Sequence, residues 1–80
     1  MPKAHEIQVP PIVSDLFFNH EHPELEQVYR ASAASGEPPH PLKVKQAIRE
    51  DADEFVQNFA SLFPCHVTAR ALVRDYLARL

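Results

Sequence analysis

The 80-residue chain holds one cysteine, Cys65, in the stretch FASLFPCHVTARALV, directly after Pro64 and before His66. Proline is well tolerated in the first turn of a helix, where its missing N–H has no intrahelical acceptor. If Pro64 opens a helix, Cys65 faces free backbone N–H groups and the positive end of the dipole. Both lower a thiol's pKa and favour the reactive thiolate. The same position equally suits a small apolar residue packed into a helix junction. A Cys-x-x-Cys pair would point to redox chemistry, but position 68 is Thr. Cys65 is the candidate reactive thiol, and packing is its competing and favoured role.

The other chemistry-bearing residues make weaker patterns. His20 and His22 in NHEH, His40 and the Cys65-His66 pair invite a metal reading, since imidazole is the commonest protein ligand. Zinc motifs need two well-spaced ligand pairs, and here the histidines fall in separate loops, so no metal is expected. Ser14, Asp15 and His20 supply the residue types of a hydrolytic triad without a nucleophile-elbow context. REDADE, residues 49–54, is acidic but has Lys45 and Arg49 one turn away, and reads as a solvated helix face. It lacks the ligand spacing and central glycine of a calcium loop. A phosphate-cradling loop cannot be built from one glycine.

Composition narrows the class further. Eighty residues make one domain at most, burying about 60–65% of the unfolded surface. Hydrophobic content of 45% with 24% charged residues is that of a globular chain. Eight Lys and Arg against eleven Asp and Glu give a net charge of -3, which argues against a nucleic-acid partner. No apolar run approaches the roughly 20 residues of a membrane span, and the start, MPKAHEIQVPP, resembles neither a signal nor a transit peptide. One cysteine excludes an internal disulfide.

The elements that must position these residues are helical. Residues 1–22 read as an extended, proline-bearing arm. Its IVSDLFF patch, residues 12–18, is expected to form at most one turn capped by Ser14. Ile12, Leu16, Phe17 and Phe18 are many large apolar groups for such an arm, so they either fold back onto the helices or meet a partner. They are the candidate interaction residues. From 23 to 80 the spacing predicts a helical domain. A first helix, about 23–34, begins at Pro23, carries Leu25, Val28, Tyr29 and Ala33 on one face, and ends at Gly36. A second, about 42–62, repeats Val44, Ile48, Ala52, Phe55, Val56, Phe59 and Leu62 or Phe63 at three and four. A third, about 65–79, carries Val67, Leu72, Val73, Tyr76 and Leu77, with arginines late in the helix. The expected fold class is all-α, a small bundle of three main helices.

DADEFVQNFASLFPCHVTARALVRDYL resembles the active-site segment of the Erv/ALR family of flavin-linked sulfhydryl oxidases. In that family a Phe-x-x-x-Phe-x-x-x-Phe/Tyr helix runs into Pro-Cys-x-x-Cys, and Phe55, Phe59, Phe63, Pro64 and Cys65 follow that order. ASAASGEPPHP is similar to the end of the family's first helix and its proline loop, so the resemblance covers about residues 26–78. The departures decide what it implies. Thr68 replaces the second redox cysteine, Glu26 and Arg30 stand where the family has its flavin-contacting Trp and His, and the family's fourth helix has no counterpart. The resemblance therefore implies a retained helical scaffold with no flavin, no cofactor and no dithiol cycling. It also suggests a mitochondrial setting, since that family works in the intermembrane space.

The expected function is that of a non-enzymatic helical interaction protein, an accessory subunit of a larger assembly whose partners are other protein subunits, with homo- or hetero-oligomers both open. The alternatives are a thiol-redox protein using Cys65 and a small regulator or inhibitor of one protein target.

Overall fold

A computed structural model describes residues 9–63 and 67–80. They form four helices: α1 (Pro11–Asn19), α2 (Pro23–Ser35), α3 (Pro41–Asn58) and α4 (Ala69–Arg79), with a 3-10 turn at Ala60–Leu62. The all-α class and the small helical bundle hold, but with four helices in place of the expected three. The added element is α1, which replaces the C-terminal part of the expected extended arm. Pro10-Pro11 starts this helix rather than preventing it, because Pro11 occupies the first helical position. Pro23 and Pro41 open α2 and α3 in the same way.

Two boundaries also shift. The second expected helix divides: α3 stops at Asn58, and the 3-10 turn carries the chain to Leu62. The third begins at Ala69 rather than near 65, with Thr68 as its N-cap accepting a hydrogen bond from the Ala71 amide at 3.4 Å. A threonine cap satisfies one of the amides that open a helix, and Pro64 has no such side chain to offer.

The core runs along one stripe of α3, with Ala47, Ile48, Ala52 and Phe55 buried. Against it lie Val13 and Phe17 of α1, Leu25 of α2, and Leu72, Val73 and Tyr76 of α4. Phe17, Ile48 and Leu72 are the largest fully enclosed side chains. The broad helix contacts run in series, α2 on α3, α3 on α4 and α4 on α1. The Cα trace measures 45 × 29 × 16 Å, a thickness that fits two helix layers at the usual 8–10 Å separation.

Candidate interaction surface

α1 divides the predicted interaction residues. Phe17 is core, 2% exposed. Its ring packs against Phe55 at 5.4 Å and Tyr76 at 5.5 Å, which removes it from any outward patch. Phe18 is half-buried, 4.8 Å from the Tyr76 ring, with the Arg79 guanidinium 5.6 Å over its own ring. Ile12 and Leu16, one turn apart on the outer face, remain 72% and 47% exposed. The helical period explains the split: Val13 and Phe17 are four apart and turn inward together, and so Ile12 and Leu16 turn away.

Polar groups fix α1 on α4. Ser14, expected as a cap, lies within the helix, buried, and its hydroxyl donates to Asp75. The Arg79 guanidinium donates to Asp15 at 2.6 Å and lies 3.6 Å from Asp75. His20 is elsewhere: its Nδ1 meets the Glu21 carbonyl at 3.1 Å, and its ring packs edge-on against Phe55 and Phe59. Ser14, Asp15 and His20 thus form no triad, and the Ser14 proton is directed to a carboxylate rather than to an imidazole.

Asp51 is the residue that sequence reasoning misses. Its place in REDADE reads as a solvated face, but it is 4% exposed and turned inward. Its two carboxylate oxygens accept the Glu24 amide at 3.1 Å and the Leu25 amide at 3.0 Å. These are free donors of the first turn of α2, where His22 provides no side-chain cap. A carboxylate from α3 therefore does the work of an N-cap for α2 and meets the positive end of its dipole. A signal for this exists in the spacing: Asp51 is four residues from both Ala47 and Phe55, on the apolar stripe.

His22 closes the same junction. Its ring lies edge-on to Phe17 at 4.7 Å and 5.1 Å from Tyr76, and its Nε2 is buried with no hydrogen-bond partner among the described residues. Burial holds the imidazole below its ordinary pKa, opposed by the Asp51 charge and a backbone hydrogen bond at His20, while the His20 charge adds to the depression. Burial, with the nearby Tyr29 and Asp51, raises the Tyr76 phenol. The expectation of polar loop histidines is thus corrected for His22, an aromatic-cluster residue. His40 has a third role, its Nδ1 accepting the Leu42 amide at 3.1 Å to cap α3. Among the described residues no group of three His, Cys, Asp or Glu side chains could hold a metal.

A concavity of about 960 Å³ lies along the other side of the α2–α3 hairpin, between the two helices and the loop joining them. Its walls are stripes at helical spacing, including Val28, Ala31, Ser32 and Ser35 on α2 and Lys43, Ala47 and Glu50 on α3. The loop end is tied down: Gly36 adopts the left-handed conformation that closes α2, and its amide bonds to the Ser32 carbonyl at 2.9 Å. The Ser32 hydroxyl donates to the Glu37 carbonyl.

Cys65, with Pro64 and His66, lies outside the described residues. No helix among the described residues is long and apolar enough to cross a membrane. Compared with known proteins, the chain matches no family model, no curated protein and no solved structure.

Proposed function

We propose that this protein is a non-catalytic helical interaction module, an accessory subunit that packs against other protein chains in a larger assembly. The observation that carries the reading is the serial packing of the helices. With α2 and α1 at the two ends of the series, none of the described residues covers the hairpin groove between α2 and α3. Ile12 and Leu16 on α1 add two exposed apolar side chains. The polar side chains buried in the bundle have structural duties: the Ser14 hydroxyl is committed to Asp75 and the Asp51 carboxylate to α2. The likeness to a sulfhydryl oxidase scaffold belongs to the same proposal. Phe55, Phe59 and Phe63 cluster, with ring centres 4.8 and 5.6 Å from Phe55. Thr68, in the place of the second redox cysteine, serves as a helix cap.

Sedimentation velocity and thermal melting of the purified chain test the reading. Self-association or a weak, broad transition in isolation is expected, and a monomeric, cooperative, highly thermostable chain would overturn it. Alkylation of Cys65 across pH separates the thiol alternative: a rate governed by a pKa near or above about 8.5 leaves it no activated nucleophile.

A further inference from the structure

We infer that the groove between α2 and α3 receives a basic amphipathic helix from a partner protein, an assignment that rests on the interaction reading and names the partner's chemistry. The groove runs from Glu24 to Ser35 along α2, about 16 Å or three helical turns at 1.5 Å per residue. Its two walls already have the antiparallel hairpin form against which a further helix packs in a bundle. Among the lining side chains, Ala31 and Ser32 on one wall and Ala47 on the other are small, so an incoming helix can approach there to ordinary packing distance.

Charge selects the occupant. Among the described residues, Glu24, Glu37 and Glu50 line the groove against one lysine, Lys43. Glu24 and Glu50 stand at one end and Glu37 at the loop end, so carboxylates meet both ends of a helix laid along it. A helix with an apolar seam and flanking lysines or arginines matches that arrangement, and an acidic helix or a nucleic-acid phosphate is repelled. Strand addition is not available, because the described residues contain no sheet edge to extend. Helix-in-groove docking fits these walls, with Val28, Ala31 and Ala47 offering apolar contact and the glutamate rim supplying selection.

The test uses the full chain and two synthetic helical peptides of about sixteen residues sharing one Leu/Ala seam, one flanked by lysines and one by glutamates. Amide chemical shifts of the isotope-labelled protein report where each peptide binds. The lysine peptide is expected to perturb α2 and α3 amides around Ala31 and Ala47, and the glutamate peptide to bind at least about tenfold more weakly. The double variant Glu37→Lys/Glu50→Lys, at two exposed positions, should abolish that preference, and Ala31→Trp should block both peptides. Helical content and melting temperature check that each variant folds. Equal binding of the two peptides, shifts centred on Ile12 and Leu16, no binding by either, or a dimer of this chain that fills the groove each overturn the assignment. If the basic peptide fails while the chain still self-associates or melts weakly alone, the basic-helix assignment falls and the interaction reading stands.

Discussion

α1 and α2 show two ways of holding a helix. α2 has 13 residues and α1 only 9, yet α1 buries Val13, Ser14 and Phe17 whereas α2 buries Leu25 alone. The shorter helix is fixed along its face, by Phe17 within the aromatic cluster and by Ser14 and Asp15 against α4. The longer one lies along α3 through Leu25 and Val28, with Asp51 capping its first turn and Gly36 and the Ser32–Glu37 contact closing its last. Neither is stable by length alone, since isolated helices below about 12–15 residues are marginal in water. The difference matters for function, because a helix that buries one residue keeps a face to spare. That face is one wall of the groove.

The largest expected effect breaks the face-held helix. Phe17→Ala removes an enclosed ring in contact with Phe55, Tyr76 and His22. It should cost about 3–5 kcal/mol in chemical denaturation, a large share of what a domain this size has. α1 amides should lose hydrogen-exchange protection first. A loss below about 1 kcal/mol would mean that the polar contacts to α4, rather than Phe17, hold α1.

Asp51→Ala addresses α2 and comes next, at about 1–2 kcal/mol, because two amides of its first turn lose their acceptor. Exchange should accelerate at Glu24 and Leu25 while α1 amides change little. Asp51→Asn retains one carbonyl oxygen and should recover part of the loss. Equal effects on α1 and α2 would show that the two helices are one cooperative unit rather than separately held.

What is legible in the sequence follows the same division. The three- and four-residue spacing on α3 and the Pro23 and Gly36 signals on α2 are local; α2 appears where expected, and α3 begins where expected but stops at Asn58. α1 is hidden because prolines 10 and 11 read as a barrier, although a proline at the first helical position fits. Asp51 is hidden for a different reason. Charge places it among the solvated residues of REDADE, while its helical position places it on the buried stripe. Only the approach of α2 to α3 supplies the two amides that offset its burial. The groove is equally invisible, since neither wall is strongly apolar and its shape depends on how α2 sits on α3. Long-range pairing carries no local signature.

Gly36→Ala probes the other end of α2 and is expected to cost about 1 kcal/mol from the left-handed backbone. Gly36 has φ +76°, and a Cβ added there would meet no atom of the described residues, so the backbone conformation carries the cost. The loss should appear as fraying of Ser32 to Ser35 with the α1 cluster intact. A neutral result would place the anchor of this end in the Ser32–Glu37 contact instead of the glycine.

The smallest effect is a pH dependence that joins the two regions, because His22 leads into α2 while its ring lies on Phe17 of α1. Burial depresses its pKa below the ordinary 6.5, so the folded protein prefers the neutral ring. As pH falls through the unfolded value, the unfolded chain takes up the proton first. The contribution of His22 is therefore full above about 6.5, declines as pH drops, and is gone once pH lies below the folded value. The decline is modest because Asp51 favours the charged ring and the side chain is only half-buried. Denaturation of the wild type and of His22→Gln between about pH 7.5 and 5 isolates it. The stability difference between the two should shrink toward low pH. A difference that grew on acidification would mean that the Asp51 carboxylate outweighs burial, so that His22 joins α2 to α3 as a cation rather than α2 to α1 as a neutral aromatic.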